Sequence, residues 1–207
     1  MKYYVLSLLI AMNVATFGQI PKSRAEIRID ELEASGVDTI IYFRSERFDA
    51  IFLIEDSCLE FEKEFFIWTH NGATYFEKIA TCIDKNAQER SYATRPILNN
   101  TSKVFEIITS HYKKLEFEQI VPGVFKWSFD GKEVFEQMRT NHPTMFELII
   151  CLRGDRINKR FDKDALADSI GRVENLNYAY NKSSSINLLK SQIESEIVLL
   201  ESKNAFK

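Results

Sequence analysis

The Asn71-Gly72 dipeptide constrains the fold of this chain more than any other local feature. It lies between two long runs that are rich in apolar residues. Asn-Gly suits both central positions of a type I′ turn, which joins two antiparallel strands in a defined register. Centring the turn there places Trp68 opposite Tyr75. The sequence therefore predicts a long β-hairpin, with strands over residues 59–69 and 73–83.

The rest of the chain predicts further strands and helices around this hairpin. Runs rich in Ile, Val, Tyr and Phe favour strands, and apolar residues at helical spacing favour helices. The predicted strands are 37–44, 48–54, 124–129, 145–152 and 156–161, with 132–138 ambiguous between strand and helix. The predicted helices are 23–34, 102–114, 162–173 and 185–202, and the predicted long loops are 84–96 and 175–185. These elements predict an α+β fold with an antiparallel meander of about four strands over 37–83 and flanking helices.

The first 18 residues have the layout of a secretory signal peptide. Lys2 supplies a positive charge, an uncharged and mainly apolar run follows, and Thr16 and Gly18 are small residues before a cleavage site at Gln19. The Thr-Phe-Gly-Gln ending resembles the ends of bacterial signal peptides. The alternative is a buried N-terminal strand or helix. Cleavage leaves one predicted domain over 19–207, with no transmembrane span.

The last predicted helix is amphipathic and has a heptad-like stripe of apolar residues. Its members are Ile186, Leu189, Ile193, Ile197 and Leu200. Three more apolar residues, Leu188, Val198 and Leu199, widen the stripe into a surface expected to face the core. The stripe is also a candidate contact surface for a partner or a second copy. The oligomeric state itself does not follow from the sequence.

Three cysteines occur in the chain, and export would place them in an oxidising compartment. The hairpin register pairs Phe61 with Cys82 and directs Cys58 to the opposite sheet face, which disfavours a Cys58–Cys82 bridge unless a bulge shifts the register. A disulfide between Cys82 and Cys151 is therefore the predicted pairing. The alternative is that all three cysteines are buried thiols.

An aromatic face of the predicted hairpin is the candidate ligand-binding surface. Phe66 and Trp68 lie on the face opposite the other apolar residues, and Tyr75 is their cross-strand neighbour. Both hairpin faces are thus apolar near the turn. Either a helix covers the second face, or Phe66, Trp68 and Tyr75 form an exposed patch that binds a ligand.

Several chemistries have no motif in this sequence. The zinc-protease helix H-E-x-x-H, the nucleophile elbow G-x-S-x-G and the glycine-rich phosphate loops are all missing, so we expect no metal site and no cofactor. A net charge of −3 argues against nucleic-acid binding. The acidic residues Glu60, Glu62 and Glu64 alternate along one strand, as on a solvated sheet face. The three histidines are dispersed along the chain.

These patterns favour an exported, non-enzymatic protein that binds an envelope protein or a small ligand. This hypothesis rests on the signal-peptide pattern, the aromatic content of 13% and the lack of catalytic motifs. The alternative is a hydrolase that acts outside the cytoplasm, with a site built from dispersed carboxylates and histidines.

Overall fold

We describe the protein from a computed structural model, which covers residues 22–46, 59–83, 88–137 and 144–206. The predicted signal peptide, the predicted strand over 48–54, Cys58 and His142 lie outside these residues. The chain divides into two compact units, residues 1–35 and 36–207, and the single domain over 19–207 stays a prediction. The described part of the first unit is helix α1 (Arg24–Ala34), close to the predicted helix. Its first turn is closed by a capping box, in which Ser23 and Glu26 each accept a backbone N–H from the other.

The second unit contains strands throughout and three further α-helices among its described residues. The strands are β1 (Thr39–Glu46), β2 (Leu59–His70), β3 (Ala73–Ile83), β4 (Glu89–Ala93), β5 (Ile97–Leu98), β6 (Phe125–Phe129), β7 (Lys132–Glu136), β8 (Met145–Leu152), β9 (Asp155–Asp162), β10 (Ser169–Ile170) and β11 (Val173–Asn175). The helices are α2 (Val104–Phe117), α3 (Tyr178–Ser183) and α4 (Ser185–Ser202), with a 3₁₀ turn at Asp164–Leu166. This arrangement confirms the predicted α+β class with antiparallel sheets.

The main sheet of the described chain has seven strands in the order β4-β3-β2-β1-β8-β9, and β5 pairs with β3. Strand β1 pairs directly with β2 on one side and with β8 on the other, so the sheet extends beyond the predicted meander. Strands β2 and β3 form the predicted hairpin, which we call the central hairpin, and its predicted register is confirmed at Trp68 and Tyr75. Further from the turn, a bulge between Glu60 and Glu62 shifts the strands, and Cys82 lies opposite Glu60 instead of Phe61.

Helices α2 and α4 cover one face of the main sheet and enclose the principal core. The core residues on α4 are the five members of its apolar stripe, all of them buried. The idea that this stripe is a contact surface for another molecule is therefore wrong, because the stripe is already buried within its own chain. The prediction that Leu188, Val198 and Leu199 face the core is wrong, because these side chains are 46%, 63% and 47% exposed.

The two core helices are antiparallel and cap each other. Glu196 of α4 accepts the Lys103 N–H at the start of α2 at 2.9 Å. Glu118, at the end of α2, accepts the Ser185 N–H at the start of α4 at 2.6 Å. Each carboxylate thus meets the positive end of the other helix, where its charge stabilises both termini.

A buried lysine closes the other end of α2. The Lys159 ammonium donates to the Glu116 carbonyl at 2.9 Å and to the Glu118 carbonyl at 2.7 Å. Burial lowers the pKa of Lys159, and the nearby Glu116 and Glu118 carboxylates oppose that shift. The side chain satisfies carbonyls that the last turn of a helix leaves without intrahelical partners.

A second sheet of the described chain has four strands in the order β10-β11-β6-β7. The segment predicted as a helix over 162–173 instead contains the end of β9, the 3₁₀ turn, β10 and the first residue of β11, so that prediction is wrong. Gly171, between the two strands, has a φ of +62°, which ends any helix there. The predicted loops over 84–96 and 175–185 contain β4 and α3, respectively. Strand β4 is polar because it lies at the edge of the main sheet.

Candidate functional site

The candidate site is the β6–β7 hairpin of the second sheet, which we call the aromatic hairpin. Trp127, Phe129 and Phe135 are 37%, 67% and 56% exposed. Its turn is Asp130-Gly131, and both residues have positive φ, as a type I′ turn requires. Asp-Gly, like Asn-Gly, is a sequence signal for this turn, and the ambiguous segment after it forms a strand over Lys132–Glu136.

The base of the aromatic hairpin is anchored by buried groups. Phe125, at the start of β6, is fully buried. The Asn181 side chain accepts the Val121 N–H at 2.9 Å and donates to the Val121 carbonyl and the Ala165 carbonyl, each at 2.7 Å. Asn175, whose backbone lies opposite Phe125, also donates to the Ala165 carbonyl. The hairpin therefore presents its exposed end from a buried, hydrogen-bonded base.

The exposed rings lie on both faces of the ribbon. Trp127 and Phe129 share one face, with ring centroids 6.2 Å apart and ring planes inclined by 52°. Phe135 lies on the other face, where the Lys126 ammonium is 5.8 Å from the centroid of its ring. Lys126 also forms an ion pair with Glu133 at 2.5 Å. The surface thus combines large apolar rings with flanking charges, a composition found at protein interfaces.

The residues predicted to bind a ligand occupy a different environment. Phe66 is fully buried, Trp68 is 6% exposed and Tyr75 is partly buried. The Trp68 and Tyr75 rings stack across the hairpin with centroids 5.6 Å apart. An exposed patch formed by these three residues is therefore wrong, because this face of the hairpin is covered. Any role of the three residues in binding a ligand stays a prediction.

The cysteines also differ from the predicted pairing. Cys82 is disulfide-bonded, whereas Cys151 is a reduced and buried cysteine. The predicted Cys82–Cys151 bridge is therefore wrong. The reason is the strand order of the main sheet. Cys151 lies on β8 opposite Ile40 of β1, whereas Cys82 lies on β3, and both β1 and β2 separate these two strands.

Three carboxylates on the main sheet are paired with other side chains. On the main-sheet face opposite α2 and α4, Arg44 contacts Glu62 at 2.5 Å and Glu147 at 3.6 Å. Tyr42 donates to the buried Glu64 carboxylate at 2.8 Å. The described residues contain no group of three His, Cys, Asp or Glu side chains arranged to hold a metal ion. This cluster therefore resembles a structural ion-pair network more than an acid–base pair across a cleft.

The histidines within the described residues lie on different elements of the fold. His70 lines an open cavity of about 530 Å³ next to the β2–β3 turn, together with Asp38, Thr39 and Thr69. His111 lies on α2, where its Nδ1 atom is 2.9 Å from the Ser110 hydroxyl. The structure thus does not bring the two histidines to one site, and the hydrolase alternative stays a prediction.

Tyr42 supplies a prediction about pH. Burial raises the pKa of Tyr42 above its ordinary value of 10.0, and Glu64 raises it further. Above pH 10 the unfolded chain loses this proton and the folded chain keeps it, so the free energy of unfolding falls by up to about 1.4 kcal/mol per pH unit. We expect Tyr42→Phe to remove this slope and, at pH 7, to destabilise the fold by ~1–3 kcal/mol, because Glu64 loses a donor.

Urea unfolding between pH 7 and 11 measures this effect. Tyr180→Phe is the matched control, because Tyr180 is 54% exposed and its loss should leave the slope of the native protein unchanged. Equal slopes for the native chain and Tyr42→Phe would contradict the prediction.

The fold and the candidate site together define an α+β protein with two antiparallel sheets and an exposed aromatic hairpin. Comparison with protein-family models, with curated proteins and with solved structures finds no match to this chain. Within the part of the chain that the structure covers, no helix has the length and apolar character needed to span a membrane.

Proposed function

We propose that this chain is an exported, non-enzymatic interaction protein that binds a protein of the cell envelope through its aromatic hairpin. The observation that carries the proposal is the exposure of Trp127, Phe129 and Phe135 on a two-stranded ribbon with a buried base. Exposing three large rings on one short ribbon costs free energy in water, and a partner that buries them recovers it.

The geometry favours a protein partner over a sugar or a lipid surface. A sugar stacks on a flat platform, but the Trp127 and Phe129 planes are inclined by 52°. A flat membrane contacts one face of a ribbon, but Phe135 lies on the opposite face. The ribbon over 125–136 has two lysines and three acidic residues, so its net charge of −1 gives no attraction to anionic lipids. A protein groove can enclose both faces.

Two observations support export. The first 18 residues have the pattern of a signal peptide. Cys82 is disulfide-bonded, and structural disulfides persist mainly in oxidising compartments. Both features point to a place outside the cytoplasm, which is where an envelope partner would be met.

The test compares three tagged chains expressed in their native cells. They are the native chain, the hairpin variant Trp127→Ser/Phe129→Ser, and the control Leu188→Ser/Val198→Ser, which removes two exposed apolar side chains from α4. Cross-linked partners are identified, and the purified partner is titrated against each chain. We expect the hairpin variant to bind at least ~30-fold more weakly, since buried interface rings commonly contribute 1 kcal/mol or more each.

The control must bind as tightly as the native chain does. The intact mass of each chain must match a mature protein that begins at Gln19. Equal binding by all three chains, or no saturable partner for any of them, would contradict the proposed role of the hairpin. A mature chain that still begins at Met1 would contradict export.

A further inference from the structure

We propose that β7 pairs with β7 of a second copy of this chain, antiparallel and with a two-fold axis at Val134. The pairing would join the second sheets of the two copies into one continuous sheet. This inference goes beyond the proposed partner binding and does not depend on it. It rests on the edge position of β7, on the direction of its backbone groups and on its charge pattern.

Strand β7 is an edge of the second sheet as the described residues form it, and it pairs on one side only, with β6. In a type I′ turn the Phe129 carbonyl accepts the Lys132 N–H, so the backbone groups of Lys132 face β6. Hydrogen-bonding direction alternates along an antiparallel strand. The N–H and C=O groups of Glu133 and Phe135 therefore point away from β6, where another strand can bond to them.

The side chains of β7 are complementary to themselves in one register. With the axis at Val134, Lys132 lies opposite Glu136 of the second copy, and Glu136 lies opposite its Lys132. These two ion pairs flank the Val134–Val134 contact. Glu133 lies opposite Phe135 of the second copy, and these are the residues whose backbone groups point outwards. The charge pattern and the hydrogen-bonding pattern thus select the same axis.

Neighbouring registers lack this agreement. An axis at Glu133 places Lys132 opposite Val134 and brings Asp130 opposite Glu136, which are like charges. An axis at Phe135 places Glu136 opposite Val134 and removes the pairing with Lys132. The other edge strand of this sheet, β10, is only two residues long and offers little to pair with.

The joined sheet would have a functional consequence for the aromatic hairpin. A two-fold axis perpendicular to the sheet keeps equivalent side chains on the same face, so Trp127 and Phe129 of both copies would share one surface. The two β6 strands would be about 14 Å apart, three strand spacings. A dimer would therefore present a doubled aromatic surface.

Site-directed cross-linking tests the axis. Residues on a non-hydrogen-bonded antiparallel pair have Cα atoms about 4.5 Å apart, within the range that a disulfide spans. We expect the purified, processed Val134→Cys chain to form a covalent dimer under mild oxidation. The control Ser128→Cys, exposed on β6 and away from the axis, should remain monomeric on a denaturing gel. Cross-linking of both variants alike, or of neither, would overturn the proposed pairing.

Charge exchange tests the register without a cysteine. Analytical ultracentrifugation of the native chain should show reversible dimers with a Kd that is roughly micromolar, as for a small interface. Lys132→Glu and Glu136→Lys should each raise the Kd by ~10-fold or more, because each places like charges opposite one another twice. The double exchange Lys132→Glu/Glu136→Lys should restore the Kd to within ~3-fold of the native value.

A native chain that stays monomeric at all concentrations overturns the inference, as does a double exchange that fails to restore pairing. Far-UV circular dichroism checks that each variant folds. Partner binding is a separate measurement, because it depends on Trp127 and Phe129. A monomer that binds its partner would overturn the dimer alone, and a dimer without a partner would overturn the proposed function alone.

Discussion

Phe66→Ala should lower the free energy of unfolding by ~3–5 kcal/mol, whereas Phe129→Ala should change it by no more than ~0.5 kcal/mol. Phe66 is fully buried, with its ring centroid 5.2 Å from that of Tyr42, and truncation would leave a cavity in the sheet face. Phe129 is 67% exposed, so truncation leaves no cavity. Urea unfolding of the processed chain, followed by circular dichroism, measures both changes.

The two tryptophans of the chain provide an independent control for the same comparison. Trp127→Phe leaves Trp68 as the fluorescent residue, and its burial should protect it from acrylamide quenching. Trp68→Phe leaves Trp127, which should be quenched readily. Equal quenching in the two variants, together with a small effect of Phe66→Ala, would mean that the central hairpin face is the exposed one, as in the ligand-patch alternative. A large effect of Phe129→Ala would mean that the aromatic hairpin is covered.

The central hairpin could be predicted from the sequence because its determinants are local. Asn71 and Gly72 specify the turn through their own backbone preferences, and the register of Trp68 and Tyr75 follows directly. Whether the Phe66 face is covered depends on what packs against it, which is a property of the tertiary structure. The same limit applies to the Cys82 register, which depends on a bulge that no residue type signals.

The second sheet shows where local patterns mislead. The segment over 162–173 has Leu166 and Ile170 at helical spacing, but the short strands β10 and β11 pair with each other, and β11 also pairs with β6. Sheet pairing of this kind is decided by distant residues and outweighs a weak helical pattern. Lys159, which closes α2 from β9, lies between Ile157 and Phe161 on the buried face of that strand. Its hydrogen bonds to carbonyls at the end of α2 depend on how the helix packs against the strand, which the sequence does not show.

The aromatic hairpin could have been predicted from the sequence, but the pattern of its second strand was ambiguous. The alternation of Phe125, Trp127 and Phe129 and the Asp130-Gly131 turn both indicate a hairpin. The returning segment also fits a helix through Val134 and Phe135, so its edge position was not apparent. The signal for exposure in this hairpin is the alternation of its rings with polar and charged residues over Lys126–Glu136.

Removing Cys82 should have the other large effect on stability. We expect Cys82→Ala to lower the free energy of unfolding by ~2–4 kcal/mol, since loss of a disulfide restores conformational freedom to the unfolded chain. Cys151→Ala removes a buried thiol that is not in a disulfide and should cost about 1 kcal/mol. Urea unfolding with and without a reductant separates the two, because reductant should destabilise the native chain and Cys151→Ala but leave Cys82→Ala unchanged.

The response to reductant also bears on export. If Cys151→Ala loses its sensitivity to reductant along with Cys82→Ala, the bridge joins those two cysteines, as predicted from the sequence. If none of the three chains responds, Cys82 is a thiol, and only the signal-peptide pattern then supports export. A response confined to the native chain and Cys151→Ala supports a protein whose stable form requires oxidation, because reduced Cys82 would leave the fold ~2–4 kcal/mol less stable in the cytoplasm than outside it.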